Sequence, residues 1–128
     1  MKNLLLLALF TISTISATAQ LSSTSQFVRK NLDEQYLQIR TKAVSEWSGD
    51  NTMIIYFINE QCESLIKYYD HPYSKMIRAK EGTEYKNKFL EFMTKWTELN
   101  ADGTAFVDHK MVIYEIDEYI KDLKNTDY

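Results

Sequence analysis

Two Asp-His pairs, Asp70-His71 and Asp108-His109, one thiol at Cys62 and an oxygen-rich turn, Asn100-Ala101-Asp102-Gly103, are among the groups here with the chemistry to ligate, attack or move a proton. Neutral imidazole ligates metals readily. Neither histidine, however, stands in Glu-x-x-His or His-Glu-x-x-His, the strings that set two ligands on one helical face. His109 precedes Ile113 by four residues and Ile116 by seven, so it belongs on or beside an apolar face as a structural histidine. His71, next to Pro72, reads as a loop or cap residue. Cys62 is four residues from both Ile58 and Ile66, on a buried seam where desolvation raises a thiol's pKa and makes it inert.

The Asn100–Gly103 turn resembles the centre of a calcium-binding EF-hand loop, but its ends do not follow. With Gly103 at the sharp turn, Glu98 stands where Asp is usual, Ala105 where a β-branched residue pairs with a second hand, and His109 where a bidentate Glu closes the shell. A helix-terminating turn explains the same residues. The chain has no Cys-x-x-Cys-His haem string, no glycine-rich phosphate loop, no Gly-x-Ser-x-Gly elbow and no Ser-x-x-Lys pair. Nothing catalytic is expected, and no resident cofactor or metal.

The least ordinary feature is an aromatic corner: Tyr68, Tyr69, His71, Pro72 and Tyr73 crowd one helix end. Adjacent helical residues point about 100° apart. At least one of the rings at 68 and 69 should therefore meet solvent, where tyrosine is a favoured anchor in protein interfaces.

The elements that must position these groups are helices. Punctuation is sparse, with glycine only at 49, 82 and 103 and proline only at 72. Val28, Leu32, Tyr36, Ile39, Ala43 and Trp47 recur every three or four residues, predicting one helix capped by Ser25 and stopped at Gly49. Asp50 caps a second helix carrying Ile54, Phe57, Ile58, Cys62, Leu65, Ile66 and Tyr69 as far as Pro72. Its opening run, Met53 to Ile58, is apolar on every side and would also suit a strand. The helical phase continues through Tyr69, which favours helix.

Phe89, Phe92, Met93, Trp96 and Leu99 mark a third helix, kinked or split near Gly82. Thr104 caps a fourth bearing Val112, Ile113, Ile116, Tyr119, Ile120 and Leu123. Short connections make neighbours antiparallel, so the expected fold is all-α: an up-and-down bundle of four helices with the second most central.

Composition sets the context. Met1-Lys2-Asn3, the apolar run Leu4 to Phe10 and the small-x-small Ala17-Thr18-Ala19 form a signal peptide, 1–19, with cleavage before Gln20. The apolar run is too short to cross about 30 Å of hydrocarbon, and no cysteine follows the cleavage point for lipid attachment. This leader resembles those of Gram-negative bacterial exported proteins, which implies the periplasm or the exterior. Residues 20–24 are read as a lead-in, 25–124 as one helical domain and 125–128 as a frayed tail.

The whole chain carries a net charge of −3, and loss of Lys2 leaves −4. A mildly acidic surface argues against nucleic acid and against anionic membrane as partners. With one cysteine no internal disulfide forms, so stability rests on packing. Residues 67–95 are mostly basic and 105–128 mostly acidic, which predicts ion pairs between the last two helices.

These observations point to an exported module that binds and masks another protein, as inhibitors and immunity proteins do, through Tyr68, Tyr69, His71 and Tyr73. The alternative is a carrier of an apolar ligand or haem between helices, with His109 and Met93 or Met111 at the ligand.

Overall fold

A computed structural model describes residues 20–72, 74–75 and 84–126. The leader 1–19, Tyr73, the stretch 76–83 that holds Gly82, and 127–128 lie outside the described residues. The chain is mostly helical, with five helices and a two-stranded sheet among the described residues: α1 Ser23–Asn31, α2 Asp33–Glu46, α3 Asn51–Asp70, α4 Glu84–Lys95, β1 Thr97–Leu99, β2 Ala105–Val107 and α5 His109–Thr126. No described helix is long and apolar enough to cross a membrane.

The first expected helix is two. It begins under Ser22, not Ser25: the Ser22 side chain accepts the Ser25 N–H at 3.0 Å. It breaks at Leu32, whose φ of −132° and ψ of 55° leave the helical region. No glycine or proline is involved. Asn31 turns its amide back to the Phe27 carbonyl at 2.9 Å, and Asp33 and Glu34 sit in the first turn of α2, where they favour a new helix N-terminus. The apolar phase survives the break because Leu32 still packs against the same core.

The second helix follows expectation as α3. Asp50 caps it by accepting the Met53 N–H at 3.1 Å, and residues 53–58 are helical. It is also central, packing against α1, α2 and α5.

The third and fourth helices are separated by an unexpected hairpin. The helix ends at Lys95, and Thr97–Leu99 pairs antiparallel with Ala105–Val107, setting Glu98 opposite Phe106. Asn100-Ala101-Asp102-Gly103 is the hairpin turn rather than a helix stop. Gly103 takes φ +85°, a region costly for any residue with a Cβ. The Asp102 carboxylate accepts the Thr104 N–H and hydroxyl at 3.0 and 2.6 Å. The Asn100 amide donates to the Gln38 carbonyl at 3.3 Å, fastening the turn to α2. Thr104 is thus a turn residue, and the cap of α5 is Asp108, which accepts the Met111 N–H at 3.3 Å.

Two apolar clusters result. Val28, Tyr36, Ile39, Ala43, Ile58, Cys62, Leu65 and Phe106 form the first, from α1, α2, α3 and β2. Phe89, Val112, Ile116 and Ile120 form the second, from α4 and α5. The expected attraction between the last two helices takes the form of a Lys95–Glu115 pair at 2.6 Å.

Candidate functional site

The aromatic corner is built by the last turn of α3. That helix meets α1 and α2 on one side and α5 on another, so neighbouring side chains serve different clusters. Tyr69 packs against the first cluster and Tyr68 against the second, with the two rings edge to face at 5.8 Å. Both rings are half-buried. Neither stands clear of the surface as an isolated anchor, because two apolar clusters, not one, flank the helix.

Tyr68 lies against His109, ring centres 5.6 Å apart. His71 is tied across to α5, its Nε2 3.0 Å from Asp117 Oδ1. Tyr73 lies outside the described residues. Tyr69 lines a concavity.

That concavity is a groove of about 390 Å³ between α1 and α3, lined by Phe27, Asn31, Leu32, Ile66, Tyr69 and Asp70. Phe27, one turn from Asn31 on α1, forms an open lip with 54% of its surface exposed. Ile66 and Tyr69, three residues apart on α3, form the floor from the opposite side. The break at Leu32 lets α1 end here. Phe27 and Asn31 were not singled out by their spacing, because Phe27 falls beside the apolar stripe that begins at Val28. An exposed aromatic immediately before a stripe was the available signal.

The residues of a ligand-carrying site are placed differently. His109 opens α5, is 8% exposed, and its Nδ1–H donates to the Val107 carbonyl at 3.1 Å. Burial holds this imidazole down to about 4, outweighing the Val107 carbonyl and the Asp108 carboxylate, so it is neutral at pH 7. Met111, two residues on, points about 200° away around the helix, and Met93 packs against the second cluster. α5 therefore does not bring His109 and Met111 onto one face. Cys62 is fully buried, and burial pushes its thiol up despite a hydrogen bond with Ser25. Among the described residues no three His, Cys, Asp or Glu side chains gather as a metal ion would require.

Comparison with known proteins adds no relative: no family model, curated protein or solved structure matches this chain.

Proposed function

We propose that the chain is exported by its leader and acts, in the periplasm or outside the cell, as a protein-binding module that masks a partner. The observation that carries this reading is the groove beside Tyr69, an apolar concavity with an exposed aromatic lip. Apolar grooves between helices accept large side chains from a partner, and buried aromatic anchors dominate such contacts.

The occupant on this reading is a segment of another protein with a large apolar side chain flanked by carboxylates. Two exposed cations are sequence neighbours of the lining residues: Lys30 precedes Asn31 and Lys67 follows Ile66. Among the described residues neither is ion-paired, whereas Asp70 faces Lys75 at 3.8 Å. The frame of the domain, in the same proposal, is the up-and-down four-helix bundle with α1 and α2 counted as one broken helix. The packing of α3 on α2 and α5, and of α4 on α5, supports it.

A photo-crosslinking residue at position 27, introduced in the producing cell, tests the proposal. The expected result is one discrete adduct with another exported protein, reduced by Lys30→Glu and Lys67→Glu. No adduct, or adducts with lipid or a second copy alone, would overturn it.

A further inference from the structure

The hairpin creates a second hollow, remote in character from the apolar groove. It measures about 260 Å³ and is lined by Lys42, Glu46, Trp47, Phe57, Glu98, Phe106 and Asp108. Three of these are aromatic, three are carboxylates and one is a cation. The cross-strand pairing sets Glu98 opposite Phe106, and side chains opposite each other in a ladder share a face. Both are thereby presented to α2, which carries Lys42 and Glu46. Trp47 follows at the end of that helix, with Phe57 5.8 Å from Phe106, ring centre to ring centre.

One ammonium already sits here. Lys42 Nζ lies 2.8 Å from Glu46, 2.7 Å from Glu98 and 6.0 Å from the centre of the Phe106 ring. It is bound by two carboxylates and a ring's negative face, the combination that recognises organic cations. Among the lining residues three carboxylates face this one cation, with Lys110 acting on Asp108 from outside the hollow. The lining carboxylate of Asp108 is itself held from behind by a buried amide. Gln61 is 4% exposed, one turn along α3 from Phe57, and its Nε2 donates to Asp108 Oδ1 at 3.0 Å. Turning the amide over would set its oxygen against the carboxylate, so the orientation is fixed. Its Oε1 is buried without a hydrogen-bond donor. Gln61 does not line the hollow; it fixes the Asp108 carboxylate there, among lining residues whose only cation is Lys42.

We propose that this hollow is a recognition site for an alkylammonium group, free or at the end of a lysine side chain, and that Lys42 is its resident stand-in. Its size favours a group over a whole ligand, since complete small-molecule pockets run to roughly 300–1,000 Å³. An alkyl chain would lie along the rings of Trp47, Phe57 and Phe106. Its ammonium would take the charge that Lys42 leaves unbalanced among Glu46, Glu98 and Asp108. Lys42 and the incoming cation repel each other, so the stand-in limits affinity and its removal should raise it.

The test uses the indole N–H signals of the purified chain in a two-dimensional NMR spectrum. The chain has two tryptophans, Trp47 in the hollow and Trp96 against the second cluster as an internal reference. Titration with n-pentylammonium chloride should shift Trp47 saturably and leave Trp96 in place, while 1-pentanol should not shift either. N-acetyl-lysine amide identifies the source: binding equal to pentylammonium assigns a lysine side chain, and binding by the free amine alone assigns a small amine. Lys42→Gln should tighten binding about fivefold and Glu98→Gln should weaken it about fivefold, the scale of one partly exposed charge contact. Glu98 is exposed in the middle of β1, so its replacement leaves the fold readable by the same spectrum. No saturable shift, an equal response to pentanol, or a Lys42→Gln variant that binds no more tightly would each overturn the proposal.

Discussion

His109 is the residue whose environment most constrains behaviour. In the unfolded chain its imidazole titrates near 6.5, whereas in the fold burial holds it down to about 4. As pH falls below about 6.5 the unfolded state binds a proton that the native state refuses. Stability is therefore full above that range, declines through it, and stops declining on this account below about 4. The loss amounts to about 3 kcal/mol when complete. Urea midpoints measured between pH 7.5 and 4 should show that decline in the native sequence and not in His109→Gln, whose amide can keep the bond to Val107; equal slopes in both would refute the assignment. Cys62 gives a second residue-level expectation. Its thiol should resist a disulfide reagent in native buffer and react fully in denaturant, and rapid native labelling would place it nearer the surface than α3 allows.

At the scale of elements, two helix caps of the same residue type differ in what else they hold. The Asp50 side chain caps α3 and makes no other hydrogen bond among the described residues. Asp108 caps α5 and also receives Gln61, whose other amide atom is already unpaired. Asp50→Ala should cost about 1 kcal/mol, the ordinary value of a cap. Asp108→Ala should cost about 2–4 kcal/mol, because a buried amide is left without any partner. Denaturation at neutral pH distinguishes them, and similar losses would mean that the Gln61 bond contributes little. The Asp50 cap was legible beforehand since it precedes an apolar run directly. The Asp108 cap was not, because the residues around it alternate as a strand for three positions and then recur as a helix, and a period that changes so quickly is hard to read.

For the molecule as a whole, the two apolar clusters share α3, which touches the first through Cys62 and Leu65 and the second through Tyr68. A shared central element couples them, so they should unfold together. Fluorescence from Trp47, at the end of α2, and from Trp96, within the second cluster, should report the same urea midpoint when each is followed in a variant lacking the other. Ile116→Ala, at a fully buried position of the second cluster, should lower both midpoints together by the equivalent of about 2–5 kcal/mol. Separate midpoints would show two independently folding halves.

Apolar spacing alone determined that the chain is mostly helical and that Cys62 lies on a buried seam, and it favoured helix through Met53–Ile58 and set His109 on or beside an apolar face, since a helix must turn each such stripe towards a core. The break at Leu32 and the hairpin at 97–107 were decided by tertiary contacts, because Leu32 keeps its place in the core across the break and Asn100 bonds to Gln38 sixty-two residues away. The placement of Tyr68 and Tyr69 was decided the same way. Their angle on the helix was readable, but that both directions lead to apolar neighbours follows only from where α1, α2 and α5 come to rest. The groove and the hollow belong to the same category: each draws its walls from segments distant in sequence, and local spacing carries no record of what a folded chain brings opposite.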